Sequence, residues 1–195
     1  MISASNDQTV RIWDLDHDFK SRPLFGHSDW VRCAVISRDG TLVASGSDAT
    51  TVRVWDFTRP DVRQRAVSGS EEDEEERGGT KDTQGVRVYR AHEDYVKCVL
   101  FSRDGKYVAS GADDGSILLW GIHMDHQDSS STQPTYIKRR VYGRIHVMTS
   151  SADSNLFIAS YAENLAIWNM TGEARSMEFT RTLTAEISTE IYLTH

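Results

Sequence analysis

Two sets of three short runs, rich in β-branched and aromatic residues, follow one another in the same order along the chain. The first set is WVRCAVIS (30–37), TLVASGSD (41–48) and TVRVWDF (51–57); the second is YVKCVLFS (95–102), KYVASGAD (106–113) and SILLWGI (116–122). The turn sequence RDG, at 38–40 and 103–105, and SDAT, at 47–50, punctuate them. Runs of this kind between tight turns predict antiparallel strands, and turns at roughly 8 to 12 residue intervals leave no room for helices. The expected fold class is all-β.

These runs sit inside a longer repeat. Trp13 and Trp55 are 42 residues apart, Trp55 and Trp120 are 65 apart, and Trp120 and Trp168 are 48 apart. With residues 66–84 set aside as an inserted loop, the second interval returns to roughly the 40 to 45 residues of a known class of repeat. His27 precedes Trp55, and His92 precedes Trp120, by the same 28 residues.

Through Gly26–His27, Ala91–His92, Trp13–Asp14 and Trp55–Asp56 the chain resembles the WD40 repeat family, over nearly its whole length apart from two insertions. GHSDWVRC and ASGSDATTVRVWD are most similar to the tandem repeats of fungal NACHT and WD40 signalling proteins. The resemblance implies four-stranded β-propeller blades, with the outermost strand between one WD and the next GH. Outer strands are then expected near 20–25, 85–90, 136–142 and 177–183. The unit around Trp168 is degenerate: it reads IWNM, has no GH before it, and its turn at 161–164 is short.

On this reading the chain is a single propeller segment of about four blades, two of them complete. Residues 1–25 form a partial blade without its innermost strand, 26–90 a blade with an acidic insertion at 66–84, and 91–142 a blade with a loop insertion at 123–134. Residues 143–183 form the degenerate blade, and 184–195 an inner strand of a further or closing blade. An open arc or fragment with exposed edges is expected. The alternative is a closed four-bladed ring in which EISTEIYL (186–193) supplies the missing inner strand of the first blade.

Charge and composition exclude some partners. The formal charge is −7, and the run Glu71–Glu76 supplies six negative charges, so the rest of the chain gives no electrostatic case for nucleic acid or a membrane. No apolar run approaches the ~18 residues that span a bilayer, and MISASNDQ has neither the charged nor the apolar region of a signal peptide. Cys33 and Cys98 each lie six residues after an equivalent histidine. They are expected as small buried residues, not as a disulfide or metal ligands. An intracellular setting, cytoplasmic or nuclear, is expected.

His92, Ser110, Asp114 and Trp120 include the residue types of a hydrolase triad. In WD40 proteins the matching four positions resemble a structural hydrogen-bond network that ties the loop before the inner strand to the second and third strands. A buried indole N–H, hydroxyl and imidazole each need a partner, and a carboxylate completes the set. No GxSxG nucleophile elbow is present, so no catalytic residue is assigned. Parts of the same network are expected at Ser3, Asp7 and Trp13, and at His27, Ser45 and Trp55, where Ala49 stands in place of the acid. Asp48 is no substitute, because it aligns with Asp113.

The remaining polar clusters read as surface. His123 and His126, with Asp125 and Asp128, lack a third fixed ligand, so neither metal nor cofactor is expected. Lys138, Arg139 and Arg140 fall on an outer strand, as a solvated edge that discourages sheet pairing. SGSEEDEEERGG (68–79) reads as a disordered insertion, with Ser68 and Ser70 as candidate phosphorylation sites. Both insertions follow a third strand and should emerge on one face of the propeller. On the opposite face the family's rim positions fall at Asp29, Trp30, Arg32, Asp94, Tyr95 and Lys97. An aromatic anchor beside a charge suits a protein-binding hot spot; packing of Trp30 and Tyr95 between blades is the equal alternative.

The expected function is a non-catalytic interaction scaffold or sensor that binds other proteins or peptides on this rim, with self-association through exposed edges. The rivals are a propeller-based hydrolase and a nucleic-acid-binding adaptor.

Overall fold

The computed structural model describes residues 1–16, 18–59, 62, 85–122, 136–140, 143–151, 156–171 and 176–184, with side chains described outside 136–140, 169–171 and 176–184. Among these residues fifteen strands form four antiparallel sheets. The first sheet holds β1 (Ile2–Ala4), β2 (Val10–Trp13) and β3 (Ser21–Leu24). The second holds β4 (Val31–Ile36), β5 (Leu42–Ser47), β6 (Thr51–Asp56) and β7 (Val86–Arg90). The third holds β8 (Val96–Phe101), β9 (Tyr107–Ala112), β10 (Ser116–Gly121) and β11 (Tyr136–Arg140). The fourth holds β12 (Ile145–Ser150), β13 (Leu156–Tyr161), β14 (Asn164–Thr171) and β15 (Ser176–Thr184). Each sheet is a meander, with its outer strand where the repeat places it.

Strand alternation explains how the sheets stack. In the second sheet Val52 and Val54 point toward the third, where they join Ala44, Val99, Val108, Leu118 and Trp120 in one core. Trp55 points the other way, into a core with Val10, Val31 and Val43. The third sheet repeats the arrangement: Ala109, Ile117 and Leu119 meet Ile145, Phe157, Ala166 and Trp168. The hydrophobic core is thus divided among three interfaces between neighbouring sheets.

The inner edges follow in series, β1 against β4, β4 against β8 and β8 against β12. Among the described residues no comparable packing joins β12 back to β1, so the sheets form an open arc of partial propeller type. The closing role considered for residues 186–193 lies outside the described residues, as do the insertions at 66–84 and 123–134, Ser68, Ser70 and the cluster from His123 to Asp128.

Two backbone features position side chains. The first is a bulge at the start of each complete inner strand, between Val31 and Cys33, Val96 and Cys98, and Ile145 and Val147. The extra residue, Arg32, Lys97 or His146, is left out of the ladder, and its side chain is turned off the strand's regular alternation. The second is a close approach at Gly46 and Gly111. A Cβ on Gly46 would lie 2.5 Å from Val96 Cγ1, and one on Gly111 2.7 Å from Ile145 Cγ2. Each glycine lets the next inner strand pack directly on the second strand of its neighbour. The equivalent place in the fourth sheet holds Ser160, opposite Val147 in the ladder.

Candidate functional site

Two groups of polar residues lie at the end of the sheets where the second strand turns into the third. One is buried. In the third sheet His92 bridges two hydroxyls, with Nε2 2.6 Å from Ser110 Oγ and Nδ1 2.7 Å from Ser116 Oγ. The Trp120 indole N–H donates to the same Ser110 Oγ at 2.7 Å. Asp114 lies 3.9 Å from His92 Nδ1 and accepts the backbone N–H groups of Ser116 and Glu93 at 2.7 and 2.8 Å. Burial raises the Asp114 pKa, but His92, Ser116 and the Glu93 N–H outweigh it and hold the carboxyl below its ordinary range.

The second sheet repeats this with one part missing. His27 Nε2 is 2.6 Å from Ser45 Oγ and Nδ1 is 3.2 Å from Thr51 Oγ1, with no carboxylate on the imidazole among the described residues. Asp48 is turned away and holds Arg32, with Arg32 Nε 2.8 Å from Oδ1. Trp55 meets His27 edge-on at 5.9 Å between ring centres and makes no hydrogen bond to Ser45 among the described residues. Burial, with the Arg53 charge adding to it, lowers the His27 pKa to about 3.

The first and fourth sheets depart further from the expected network. Trp13 donates to Ser3 Oγ at 2.9 Å, as the repeat predicts. Asp7, however, is exposed and meets no imidazole among the described residues; it accepts the Thr9 N–H at 3.0 Å and hydroxyl at 2.6 Å and pairs with Arg11 Nη2 at 3.5 Å, and so serves the turn and the next strand. In the fourth sheet Trp168 pairs with Phe157 as Trp120 pairs with Val108. The place of Ser110 therefore falls to Ala159, because Ser160 is one residue out of register and on the other face.

The sequence reading missed the second hydroxyl of each network, Thr9, Thr51 or Ser116. Its signal is a Ser or Thr two residues after the acid position in all three repeats. Cys98 is buried and Cys33 half-buried, both are free, and burial pushes the Cys98 thiol up to about 12.

The other group forms an outer rim. Trp30 and Tyr95 occupy equivalent places just before β4 and β8, and each is 45% exposed. Neither ring is packed away between sheets. Asp29 accepts the Trp30 N–H at 2.7 Å, and Asp94 accepts the Tyr95 N–H at 2.8 Å. The Arg32 guanidinium lies 4.8 Å from the centre of the Trp30 ring, a cation–π contact, while its hydrogen bonds to Asp48 hold its pKa up. Lys97 Nζ and Arg144 Nη1 both stand 3.9 Å from Asp113 Oδ2. Arg144, Asp48, Asp113 and His146 were not foreseen on this rim. Arg144 stands where Trp30 and Tyr95 stand in their sheets, and His146 is the bulged residue matching Arg32 and Lys97. Side chains of Lys138, Arg139 and Arg140 lie outside the described set.

Comparison with known sequences gives one consistent result. The family described as WD domain, G-beta repeat matches residues 1–14, 19–56 and 83–121. Apoptotic protease-activating factor 1 of Homo sapiens is 29% identical over 85% of the chain and 11% of its own length. Nuclear distribution protein PAC1 of Arthroderma otae is 27% identical over 62% of the chain and 26% of its own length. The guanine nucleotide-binding protein subunit beta of Zea mays is 32% identical over 65% of the chain and 29% of its own length. The chain thus spans less than a third of each of these relatives.

Proposed function

Since the chain belongs to the WD40 repeat family, whose domains bind other proteins, we propose that it is a non-catalytic interaction scaffold or sensor. Its partners dock on the rim of Asp29, Trp30, Arg32, Asp94, Tyr95 and Lys97. The observation that carries this reading is the matched exposure of Trp30 and Tyr95. A large ring held outward by a bonded loop on each of two adjacent sheets is the form of a hot-spot anchor. The maize relative is by its name one subunit of a larger protein, which favours the same reading for this chain.

The hydrolase reading meets a specific obstacle. Ser110 is 0% exposed, and its Oγ already takes the Trp120 N–H and contacts His92, so a substrate carbonyl has no approach to it. The arrangement lacks the accessible nucleophile that acyl transfer needs.

The test is photo-cross-linking from positions 30 and 95, with the exposed turn residue Arg38 at the far end of the second sheet as control. Defined adducts are expected from position 30, lost on Tyr95→Ala, and from position 95, lost on Trp30→Ala, in folded protein. Adducts equally strong from position 38 would refute the rim.

A further inference from the structure

Resting on that rim as the docking surface, we propose that the pairs Asp29–Trp30 and Asp94–Tyr95 form a two-position reader for an extended peptide carrying arginine or lysine side chains. The same acid–aromatic dipeptide precedes β4 and β8, two inner strands packed side by side. In each pair one carboxylate oxygen is fixed by the following N–H, which holds the acid beside the exposed ring. A carboxylate next to an aromatic face is the surface that guanidinium and ammonium groups recognise.

The charges of the rim point the same way. Its cations are already paired: Arg32 with Asp48, and Lys97 and Arg144 together with Asp113, both acids having side chains 6% exposed. Asp29 and Asp94 make no ion pair among the described residues. Both are half-buried; Arg32 feels Asp29 through space, and the remaining negative charge beside the two rings is left for a partner. Trp30 already accepts a guanidinium, that of Arg32, on one side of its ring. A phosphate or carboxylate ligand would instead confront Asp29 and Asp94. In the fourth sheet the aromatic gives way to Arg144, 71% exposed, which repels a third cation and ends the reader after two positions.

The experiment measures binding of labelled glycine–serine peptides carrying two arginines at varied spacing to the purified chain by fluorescence anisotropy. Otherwise identical peptides carry glutamate or glutamine. Arginine peptides are expected to bind with an optimum spacing, and Asp29→Asn and Asp94→Asn each to weaken them about tenfold with unchanged melting curves. Equal binding of the glutamate series, no binding of the arginine series, or a double variant as good as the parent would each overturn the proposal. Cross-links at 30 and 95 without arginine-peptide binding would remove the basic-peptide chemistry and leave the rim standing. Loss of both would remove the rim as well.

Discussion

His27 Nδ1 lies 3.2 Å from the Thr51 hydroxyl, whereas the equivalent His92 Nδ1 has both the Ser116 hydroxyl at 2.7 Å and the Asp114 carboxylate at 3.9 Å. The second sheet has kept the hydroxyl and lost the acid. Its network is the weaker of the two.

Ala49→Asp should restore the acid. In the third sheet that carboxylate takes two backbone N–H groups, and the matching donors here are those of Thr51 and Ser28. The variant should be more stable by about 1 kcal/mol, the usual net worth of such bonds. Urea melts at pH 7 check it, and no gain would mean that Thr51 alone already satisfies His27.

Ser110→Ala strips a partner from both His92 and Trp120, while Ser45→Ala strips one from His27 alone. Each orphaned buried donor or acceptor costs roughly 1–3 kcal/mol, so Ser110→Ala should be the more damaging by about 1 kcal/mol or more. Equal losses in paired denaturant melts would contradict the difference between the sheets.

Acid should loosen the second sheet. His27 has its pKa lowered from 6.5 to about 3, so the unfolded chain binds the proton first as pH falls. Its contribution is complete above pH 6.5 and is lost progressively toward pH 3. The urea midpoint should fall across that window, and His27→Asn, less stable at pH 7.5, should show a shallower decline. Parallel slopes for the two proteins would refute the assignment.

Thr50 has φ of +60°, a left-handed conformation that a β-branched residue resists, and the matching residue of the third sheet is Gly115 at +73°. Thr50→Gly should raise stability by up to about 1 kcal/mol despite the added chain entropy of glycine. Calorimetric melting of the variant decides it.

Much of this arrangement was legible in the residues. The Trp-to-His spacing fixes the repeat, and alternation in TVRVWDF and SILLWGI assigns a face to each side chain. The rim aromatics were found for the same reason, since they hold a constant place after the GH and AH pairs. What escaped was whatever depends on register. Ser160 looks like the serine of the network in a linear reading, and only the pairing of Trp168 with Phe157 shows that Ala159 has its place. Arg144 and His146 follow no GH, and the bulge that brings His146 level with Arg32 leaves no mark in composition. Asp7 was read as part of a tetrad because its spacing to Trp13 is right, yet among the described residues no imidazole reaches it and it pairs with Arg11 instead.

The glycine series sets how closely neighbouring sheets approach. At Gly46 and Gly111 a Cβ would stand within 2.5 and 2.7 Å of Val96 Cγ1 and Ile145 Cγ2, whereas Ala4, in the same register position of the first sheet, keeps its Cβ beneath β4. The seam between the first and second sheets is therefore built one methyl wider than the two that follow, and a repeat copied from one seam into another would carry the wrong spacer.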